Sequence, residues 1–444
     1  MPELSPDQEV AKAAIHAFLD SGETLLALSG PAGTGKSTLV GRFLLETGAK
    51  VHLTATTHKA ARVAAELAGG EAVTVHSLFG LRPVNDYATG ETRLERSRDP
   101  KAATGSLVVV DEASMVDRVL LDRLAQDAQE LGLQILFVGD PYQLPPVADA
   151  DGPPAVFDRV RTLKLGTVHR QAAGNPIIAL ATALRGVLEG GPYPVIRPQG
   201  LAIQRLDRRA FGGRVRELFT GAEYAQDPNH CRLVAWTNAR VQDLNRYVRG
   251  LLLGPDAQRY PYLPGETLIV NEAVTNDDRV LLANEAPVVV QKATAGRFGE
   301  GEADLPGYWL EVADAQGDTH ALFMPDDRGA AHRLLGDLRR QAQTLKATLA
   351  GDDHDAPVRA AWRRYFLAKE SFTDLRPPHA VTVHKSQGST YGHVLIQLED
   401  IARAAPQPGD LLARLLYVAV TRAAETASCY GTLPGHLYGP TRSI

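Results

Sequence analysis

Thr24–Thr38 has the sequence TLLALSGPAGTGKST, and this stretch decides the fold. Its first half is apolar and long enough for a strand. Its second half fits the pattern G-x-x-x-x-G-K-[ST] at Gly30, Gly35, Lys36 and Ser37. Glycines allow successive backbone N–H groups to converge on phosphate oxygens, and the N-terminus of a following helix adds a favourable dipole. The stretch therefore predicts a strand, a phosphate-binding loop and a helix.

Apolar strands alternate with amphipathic helices after this loop. The segments KVHLTAT, LVVVDE and QILFVGD are predicted strands, and helical segments separate them. This alternation, with nearly continuous apolar strands, is typical of a parallel sheet covered by helices on both faces. A second α/β stretch begins near Leu165. The predicted fold class is α/β, with two such domains.

Two segments interrupt the α/β pattern. Leu81–Ser106 is polar and has a turn signal at Ala88-Thr89-Gly90, which predicts a hairpin. Short β segments from Pro261 to Ala321 predict a small barrel. A charged helical stretch follows. It is interpreted either as an arm that braces the barrel or as a solvated helix pair. The predicted domains are 1–80 with 106–164, the hairpin insertion 81–105, 165–260 with 377–444, and the barrel with its helical extension 261–376.

The composition is that of a globular protein of several domains, with 444 residues, 44% hydrophobic and 22% charged. A net charge of -5 argues against indiscriminate coating of nucleic acid but allows a local basic groove. Cys231 and Cys429 lack metal-ligand spacing and are expected to be reduced thiols. The N-terminus has no apolar signal region, and no apolar run approaches the ~20 residues that span a bilayer. We therefore expect a cytoplasmic protein without membrane contact.

Carboxylates, an amide and two arginines are the candidate catalytic groups. Asp111 and Glu112 end an apolar strand, which suits Asp111 to the Mg²⁺ shell and Glu112 to the attacking water. Gln143 follows another strand and is suited to sensing a γ-phosphate. Arg170 in TVHRQ and Arg422 in YVAVTRAAE are candidates for stabilising charge on a transferred phosphoryl group from a second domain. The predicted cofactors are ATP and Mg²⁺.

Three polar loops, each after a predicted strand, offer hydroxyls, histidines and lysines. Groups of this kind follow a phosphodiester backbone without reading its sequence. Each loop alone is an ordinary polar loop, but three of them in a nucleotide-binding fold favour nucleic acid. The candidate DNA contacts are Thr54, His58, Lys59, His76, Thr382, His384 and Lys385.

In order and over nearly the whole chain, the motifs resemble those of the superfamily 1 helicases, in the RecD-like and Dda-like branch called superfamily 1B. THKAA, HSLFG, GDPYQLPPV and TVHKSQGST are specific to this branch, and the length resembles that of the compact Dda-type phage helicases. The matching segments in chain order are PDQ, GPAGTGKST, TATTHKAAR, VHSLFG, VVVDEAS, VGDPYQLPPV, VHRQ, VTVHKSQGST and LLYVAVTRAAE.

The resemblance implies two RecA-like P-loop domains with ATP between them, and 5′→3′ movement on single-stranded DNA. It also implies that the hairpin is a pin that splits duplexes, with Pro83 or Tyr87 as candidate contacts, and that the barrel is of the SH3 type. Ser37 and Asp111 would hold Mg²⁺. The implied nucleotide contacts are Gln8, Gly30, Pro31, Ala32, Gly33, Thr34, Gly35, Lys36, Ser37, Thr38 and Gly388.

Two other functions stay open beside an unwinding motor. A nucleotide-dependent loader or switch has no need for a nucleic-acid loop in a second domain that also brings Arg422. The motor subunit of a RecD-type recombination nuclease is a second alternative, although the sequence offers no nuclease carboxylate cluster. The expected partners are single-stranded DNA and single-strand/duplex junctions, with a single-strand binding protein or replisome component, and the protein is expected to act as a monomer.

Overall fold

The structure is a computed structural model of the chain, and it describes residues 3–68, 70–96, 99–149, 152–167, 174–276, 279–299, 305–348, 355–407 and 409–438. The chain divides into two compact units. Residues 1–79, 100–252 and 379–444 form the first unit, and residues 80–99 and 253–378 form the second. The hairpin insertion and the barrel region therefore belong to one unit, although they are far apart in the sequence.

The described residues contain the following regular elements. The strands are β1 (Leu25–Ser29), β2 (Val51–Ala55), β3 (Ala72–Thr74), β4 (Leu81–Asn85), β5 (Thr92–Arg96), β6 (Leu107–Asp111), β7 (Gln134–Gly139), β8 (Thr162–Lys164), β9 (Ile203–Leu206), β10 (Cys231–Ala235), β11 (Thr267–Val270), β12 (Val274–Asn276), β13 (Arg279–Leu282), β14 (Pro287–Phe298), β15 (Leu305–Ala313), β16 (Thr319–Pro325), β17 (Leu375–Arg376), β18 (Ala380–Thr382), β19 (Tyr391–Gln397) and β20 (Ala423–Tyr430). The α-helices are α1 (Pro6–Leu19), α2 (Lys36–Glu46), α3 (His58–Ala68), α4 (Val75–Phe79), α5 (Arg118–Leu131), α6 (Ala155–Arg159), α7 (Pro176–Leu188), α8 (Arg208–Thr220), α9 (Ala222–Gln226), α10 (Asn238–Leu253), α11 (Asp256–Arg259), α12 (Arg328–Thr348), α13 (Asp355–Ser371), α14 (Leu398–Ile401) and α15 (Leu411–Thr421).

The first sheet contains six parallel strands in the order β3-β2-β6-β7-β1-β8. Leu107–Val110 of β6 is buried throughout, as expected for a strand covered on both faces. Because β1, β7 and β6 are neighbours and parallel, the loop after β1 lies at the same sheet edge as Asp111 and Gly139. That edge is where ligands bind in open α/β sheets.

The second sheet contains five parallel strands in the order β18-β10-β19-β20-β9. Its central strands are apolar and buried, and α15 packs on them with Leu415, Leu416 and Val418 inaccessible to solvent. Both free cysteines, Cys231 and Cys429, are buried in this sheet, where burial raises the pKa of each thiol to about 12. The expectation of reduced, unreactive thiols agrees with these surroundings.

The second unit contains a five-stranded sheet in the order β16-β15-β14-β11-β17, antiparallel throughout. Alternate residues face its core: Val288 and Val290 on β14, and Leu310 and Val312 on β15. The small β-rich region predicted from Pro261 onward is therefore present. Its assignment to the SH3 type stays a prediction.

The hairpin predicted in the first interruption forms from β4 and β5, which pair antiparallel. Its turn contains Gly90, whose φ is 75°, in the left-handed region that favours glycine. The helices α12 and α13, together called the arm, pack against each other, and Trp362 and Phe366 are buried. The alternative of a simple solvated helix pair is therefore wrong, because the arm has an apolar core.

Inside the second unit, the arm packs on the hairpin rather than serving the barrel alone. The ring of Tyr87 meets the ring of Phe366 edge-on, with centroids 5.5 Å apart. Asn85 Nδ2 donates a hydrogen bond of 2.7 Å to Glu370 Oε1. A Cβ on Gly90 would overlap the indole of Trp362. The arm thus supports the turn end of the hairpin, a role that the sequence did not predict.

Candidate functional site

The glycine-rich loop joins β1 to α2 in a tightly held turn. Gly33 and Gly35 have φ values of 83° and 73°, which residues with a side chain rarely adopt. Lys36 begins α2, and its Nζ donates hydrogen bonds to the carbonyl oxygens of Gly30 and Pro31. The lysine ammonium therefore lies across the loop, where phosphates are held in nucleotide-binding proteins of this pattern.

Gln8 lies directly on the loop. It is 1% exposed, and its Nε2 donates to the carbonyl oxygen of Thr34 at 3.0 Å and of Gly35 at 3.4 Å. In the structure, Gln8 thus holds the phosphate loop in place. The adenine contact that the family resemblance implies for it stays a prediction.

Asp111 and Glu112 lie at the end of β6, at the same sheet edge as the loop. Glu112 adopts a left-handed backbone with φ of 52°, a conformation that costs energy in any residue other than glycine. Burial raises the pKa of both carboxyls, and the charge of Asp111 raises the pKa of Glu112 further, against the charge of Arg422. Glu112 Oε2 is buried without a hydrogen-bond partner among the described residues. The strained backbone, the burial and the unsatisfied oxygen of Glu112 are together typical of a side chain that takes part in a reaction.

Ser37 and Asp111 are residues that could hold a metal ion. Both line one small cavity between α2 and the sheet. The described residues contain no group of three or more histidine, cysteine, aspartate or glutamate side chains that could hold a metal. One hydroxyl and one carboxylate fit Mg²⁺, which is usually held by one or two protein groups together with substrate phosphates.

Residues of the second sheet meet this edge of the first. A Cβ on Gly388 would lie 3.4 Å from Ala60 Cβ and 3.7 Å from Glu112 Cγ. Arg422 is buried, donates to the carbonyl oxygens of Ser389 and Val418, and acts by charge on Glu112. Gly388 and Arg422 are 276 and 310 positions from Glu112 in the chain, and the fold brings both of them to it. Arg170, the other candidate arginine, lies outside the described residues.

Tyr417 is a site residue that the sequence reasoning missed. Its Oη accepts a hydrogen bond from the N–H of Ala32 at 3.3 Å and donates one to Asp140 Oδ2 at 2.5 Å. The phenol therefore joins the phosphate loop, the end of β7 and helix α15 at one point. The signal was a tyrosine in the otherwise apolar helix LLARLLYVAVT.

The sequence reasoning also missed Arg414 and Gln387, and both bind the segment after β7. Arg414 donates to the carbonyl oxygens of Pro141 at 2.7 Å and of Gln143 at 2.8 Å. Gln387 Nε2 donates to the carbonyl oxygen of Leu144 at 2.9 Å and lies 3.4 Å from Gln143 Oε1. Gln143 thus sits in a hydrogen-bonded junction between the two sheets.

One candidate DNA contact is wrong. Thr54 is fully buried, and its hydroxyl donates to the carbonyl oxygen of Val109 on the neighbouring strand. A hydroxyl committed to the core of the sheet cannot reach a phosphodiester. The sequence pattern could not separate it from Thr56 and Thr57, because all three lie within four residues at the strand end.

The other candidate contacts lie at loops or helix starts. His58 is exposed at the start of α3, and Lys59 Nζ lies 5.1 Å from the ring centroid of Tyr391 in the second sheet. The hydroxyl of Thr382 accepts a hydrogen bond from the backbone N–H of Lys385. Burial lowers the pKa of His76 and His384, so both imidazoles are neutral at physiological pH. Their contacts to DNA stay predictions, as does that of Pro83 on β4.

Comparisons with known proteins match both sheets. A model described as an AAA domain matches residues 3–191, and one described as a UvrD-like helicase C-terminal domain matches residues 378–428. The ATP-dependent DNA helicase dda of Enterobacteria phage T4 is 25% identical over 433 residues, covering 89% of this chain and 92% of that protein. The chain belongs to the superfamily 1B helicases. The ATP-dependent RecD2 DNA helicase of Deinococcus radiodurans is 41% identical over 175 residues, and there the match covers 38% of this helicase and only 22% of RecD2.

Solved structures agree on the fold of this helicase. The Pif1 helicase from Bacteroides, in complex with ADP-AlF3 and single-stranded DNA, is similar at a TM-score of 0.50 and 18% identity, over 99% of this chain and 94% of that one. The predicted family, the α/β fold with two RecA-like parallel sheets, and an enzyme that uses ATP are confirmed. Within the described residues, none of the helices is both long and apolar enough to cross a membrane.

Proposed function

We propose that this helicase is a DNA-stimulated ATPase that moves 5′→3′ along single-stranded DNA and separates duplexes. The observation that carries the proposal is the junction at the phosphate loop, where Tyr417, Gly388 and Arg422 of the second sheet meet Ala32 and Glu112 of the first. A nucleotide in this loop would touch both sheets. Its binding and hydrolysis would therefore change how the sheets fit together.

The chemistry follows from the positions of the polar groups. Lys36 and the loop N–H groups would hold the phosphates, while Glu112, with its raised pKa, would accept a proton from the attacking water. When bound at Ser37 and Asp111, Mg²⁺ would neutralise phosphate charge. Arg422 is the proposed second cation, and Arg170 keeps that role only as a proposal from the sequence.

The polar loops of both sheets would carry this movement to DNA. His58, Lys59, His76, His384 and Lys385 all follow strands of the two sheets. Backbone contacts to phosphates position a protein on nucleic acid without reading its sequence, as a translocating motor requires. The dda, RecD2 and Pif1 relatives named above support DNA as the substrate.

The hairpin, the partners and the compartment are also proposals. The hairpin would act as the pin, with Tyr87 or Pro83 at the junction of single and double strands. We also propose the SH3 type for the barrel, action as a monomer, a cytoplasmic location, and a single-strand binding protein or a replisome component as partner. These rest on the family resemblance and on what such motors do.

Tailed duplexes test the proposed direction. We expect rapid unwinding of a duplex with a 5′ overhang, no unwinding with a 3′ overhang, and an ATPase rate that rises sharply with single-stranded DNA. A blunt duplex is the control. Preference for a 3′ overhang would show that the direction is wrong, and an ATPase indifferent to DNA would favour the loader or switch.

Gly90→Ala tests the pin. The new Cβ would be strained at φ of 75° and would overlap Trp362, so we expect the hairpin to separate from the arm at a cost of about 1–3 kcal/mol. Unwinding should fall several-fold while ATPase stimulated by single-stranded DNA is retained.

Gly105→Ala is the matched control for this variant. Gly105 also has a φ of 75°, but a Cβ there meets no atom within 4 Å. It therefore reproduces the backbone strain without the overlap. Equal unwinding by the two variants would exclude the arm contact as a support of the pin.

A further inference from the structure

The two arm helices carry a charge opposite to that of the whole chain. The chain has a net charge of -5, yet α12 and α13 contain nine lysines and arginines against three acids. The segment between them adds Asp352 and Asp353, and the balance of the arm stays positive. Of the nine basic residues, only Arg328 is partly buried and the rest are exposed. A dense cationic surface on an acidic protein is suited to a polyanion.

Ion pairs neutralise only part of this surface. Arg333 pairs with Asp327 at 3.1 Å, and Arg340 pairs with Asp337. Within the described part of the chain, Arg339, Lys346, Arg363 and Arg364 have no carboxylate partner. Exposed cations that no carboxylate neutralises remain available to phosphates at little cost in desolvation.

The helical spacing places two of the arginines next to the hairpin. Trp362, Phe366 and Glu370 form one stripe of α13, and they meet Gly90, Tyr87 and Asn85 of the hairpin in that order. The stripe therefore runs from the hairpin turn back to the end of β4. Arg359 continues the stripe one turn beyond Trp362, and Arg363 borders it. Arg359 thus lies past the turn of the hairpin, and Arg363 lies level with the turn.

We propose that the face of the arm that carries Arg359 and Arg363 binds the phosphates of double-stranded DNA ahead of the hairpin. The proposal rests on the proposed function, because a motor with a pin at its front meets a duplex there. Guanidinium groups bind phosphates without reading bases, which suits a protein that must pass any sequence.

The chemistry of the arm favours a duplex over a single strand. Proteins that hold single strands stack the bases on exposed aromatic rings. Trp362 and Phe366 are buried in the arm core and against the hairpin, and so offer no stacking face. Tyr365 is half-buried against both rings, so the described part of the arm presents cations without an exposed aromatic platform, and paired bases need none. The face therefore suits the outside of a double helix.

Duplex binding by Arg363→Gln, in the full chain and without nucleotide, tests this inference. The probe is a labelled blunt duplex of about 20 base pairs, titrated at several salt concentrations and followed by fluorescence anisotropy. We expect duplex affinity to fall about fivefold at low salt, and the slope of log affinity against log salt to shrink by about one. Affinity for an oligo-dT strand and the ATPase that it stimulates should stay within about twofold.

Arg340→Gln is the matched control, because it removes the same charge from the same arm at an ion-paired position. The duplex affinity of this control should stay within about twofold of that of the unaltered protein. An equal loss in the control, an unchanged salt slope, or an equal loss of oligo-dT binding would each overturn the proposal. Thermal melting confirms that both variants fold. The binding data decide the arm site even if the unaltered protein shows no DNA-stimulated ATPase, which would instead refute the proposed function.

Discussion

Lys36→Ala is expected to reduce ATP hydrolysis by at least about 10³-fold while the protein stays folded. The ammonium of Lys36 lies over the phosphate loop, on the carbonyl oxygens of Gly30 and Pro31. In hydrolysis it would face the β- and γ-phosphates, where negative charge is concentrated. Alanine keeps the helix start but removes this charge. Steady-state ATPase with saturating single-stranded DNA measures the effect.

Lys12→Ala is the matched control for this change. Lys12 lies in α1 of the same unit, and its Nζ pairs with Glu46 of α2 at 3.1 Å and with Glu9 at 3.3 Å. Its loss removes a lysine and two surface ion pairs, but none of them touches the loop. We expect near-normal ATPase in this control. Normal turnover in Lys36→Ala, with the protein folded by circular dichroism, would disprove the assignment of the nucleotide site.

Glu112→Gln should slow hydrolysis by about 10²- to 10⁴-fold and leave ATP binding nearly intact. Glutamine has the same shape but cannot accept the proton of the attacking water. The buried, unpartnered Oε2 and the raised pKa of Glu112 support its proposed role as the acceptor. Single-turnover hydrolysis and equilibrium binding of ATP, measured separately, distinguish chemistry from affinity.

Glu71→Gln is the control, because Glu71 is an exposed glutamate of the same unit at the start of β3. It should hydrolyse ATP normally. If Glu112→Gln instead loses ATP affinity and rate in equal measure, the carboxylate acts in binding and not as the proton acceptor. A rate within about twofold of the unaltered protein would remove Glu112 from the mechanism altogether.

The parts of the site that the sequence predicted are those made by neighbouring residues. A strand that leads into GPAGTGKST and then into a helix determines a phosphate loop, because its backbone shape depends on glycines a few positions apart. Asp111 and Glu112 were found because a buried strand must end at the sheet edge. The same local logic failed for Thr54, because alternation along a strand does not show which side chain faces the core of a sheet.

Family motifs extended the prediction but did not say what their residues touch. Gln8 was assigned to the base of the nucleotide, yet its amide binds the carbonyl oxygens of Thr34 and Gly35. Gly388 and Arg422 were expected near the nucleotide, and the structure places both against Glu112. A motif records which residues recur together. Their hydrogen bonds follow from the packing.

The sequence by itself thus determined the two parallel sheets, the phosphate loop, the carboxylate pair and the hairpin, because each depends on a short stretch with its own periodicity or turn. Only the tertiary structure decided that Tyr417 joins Ala32 to Asp140, and that Gly90 lies on Trp362. These partners are more than 270 residues apart. Such contacts are set by how whole sheets and helices pack, and no local pattern in the chain encodes them.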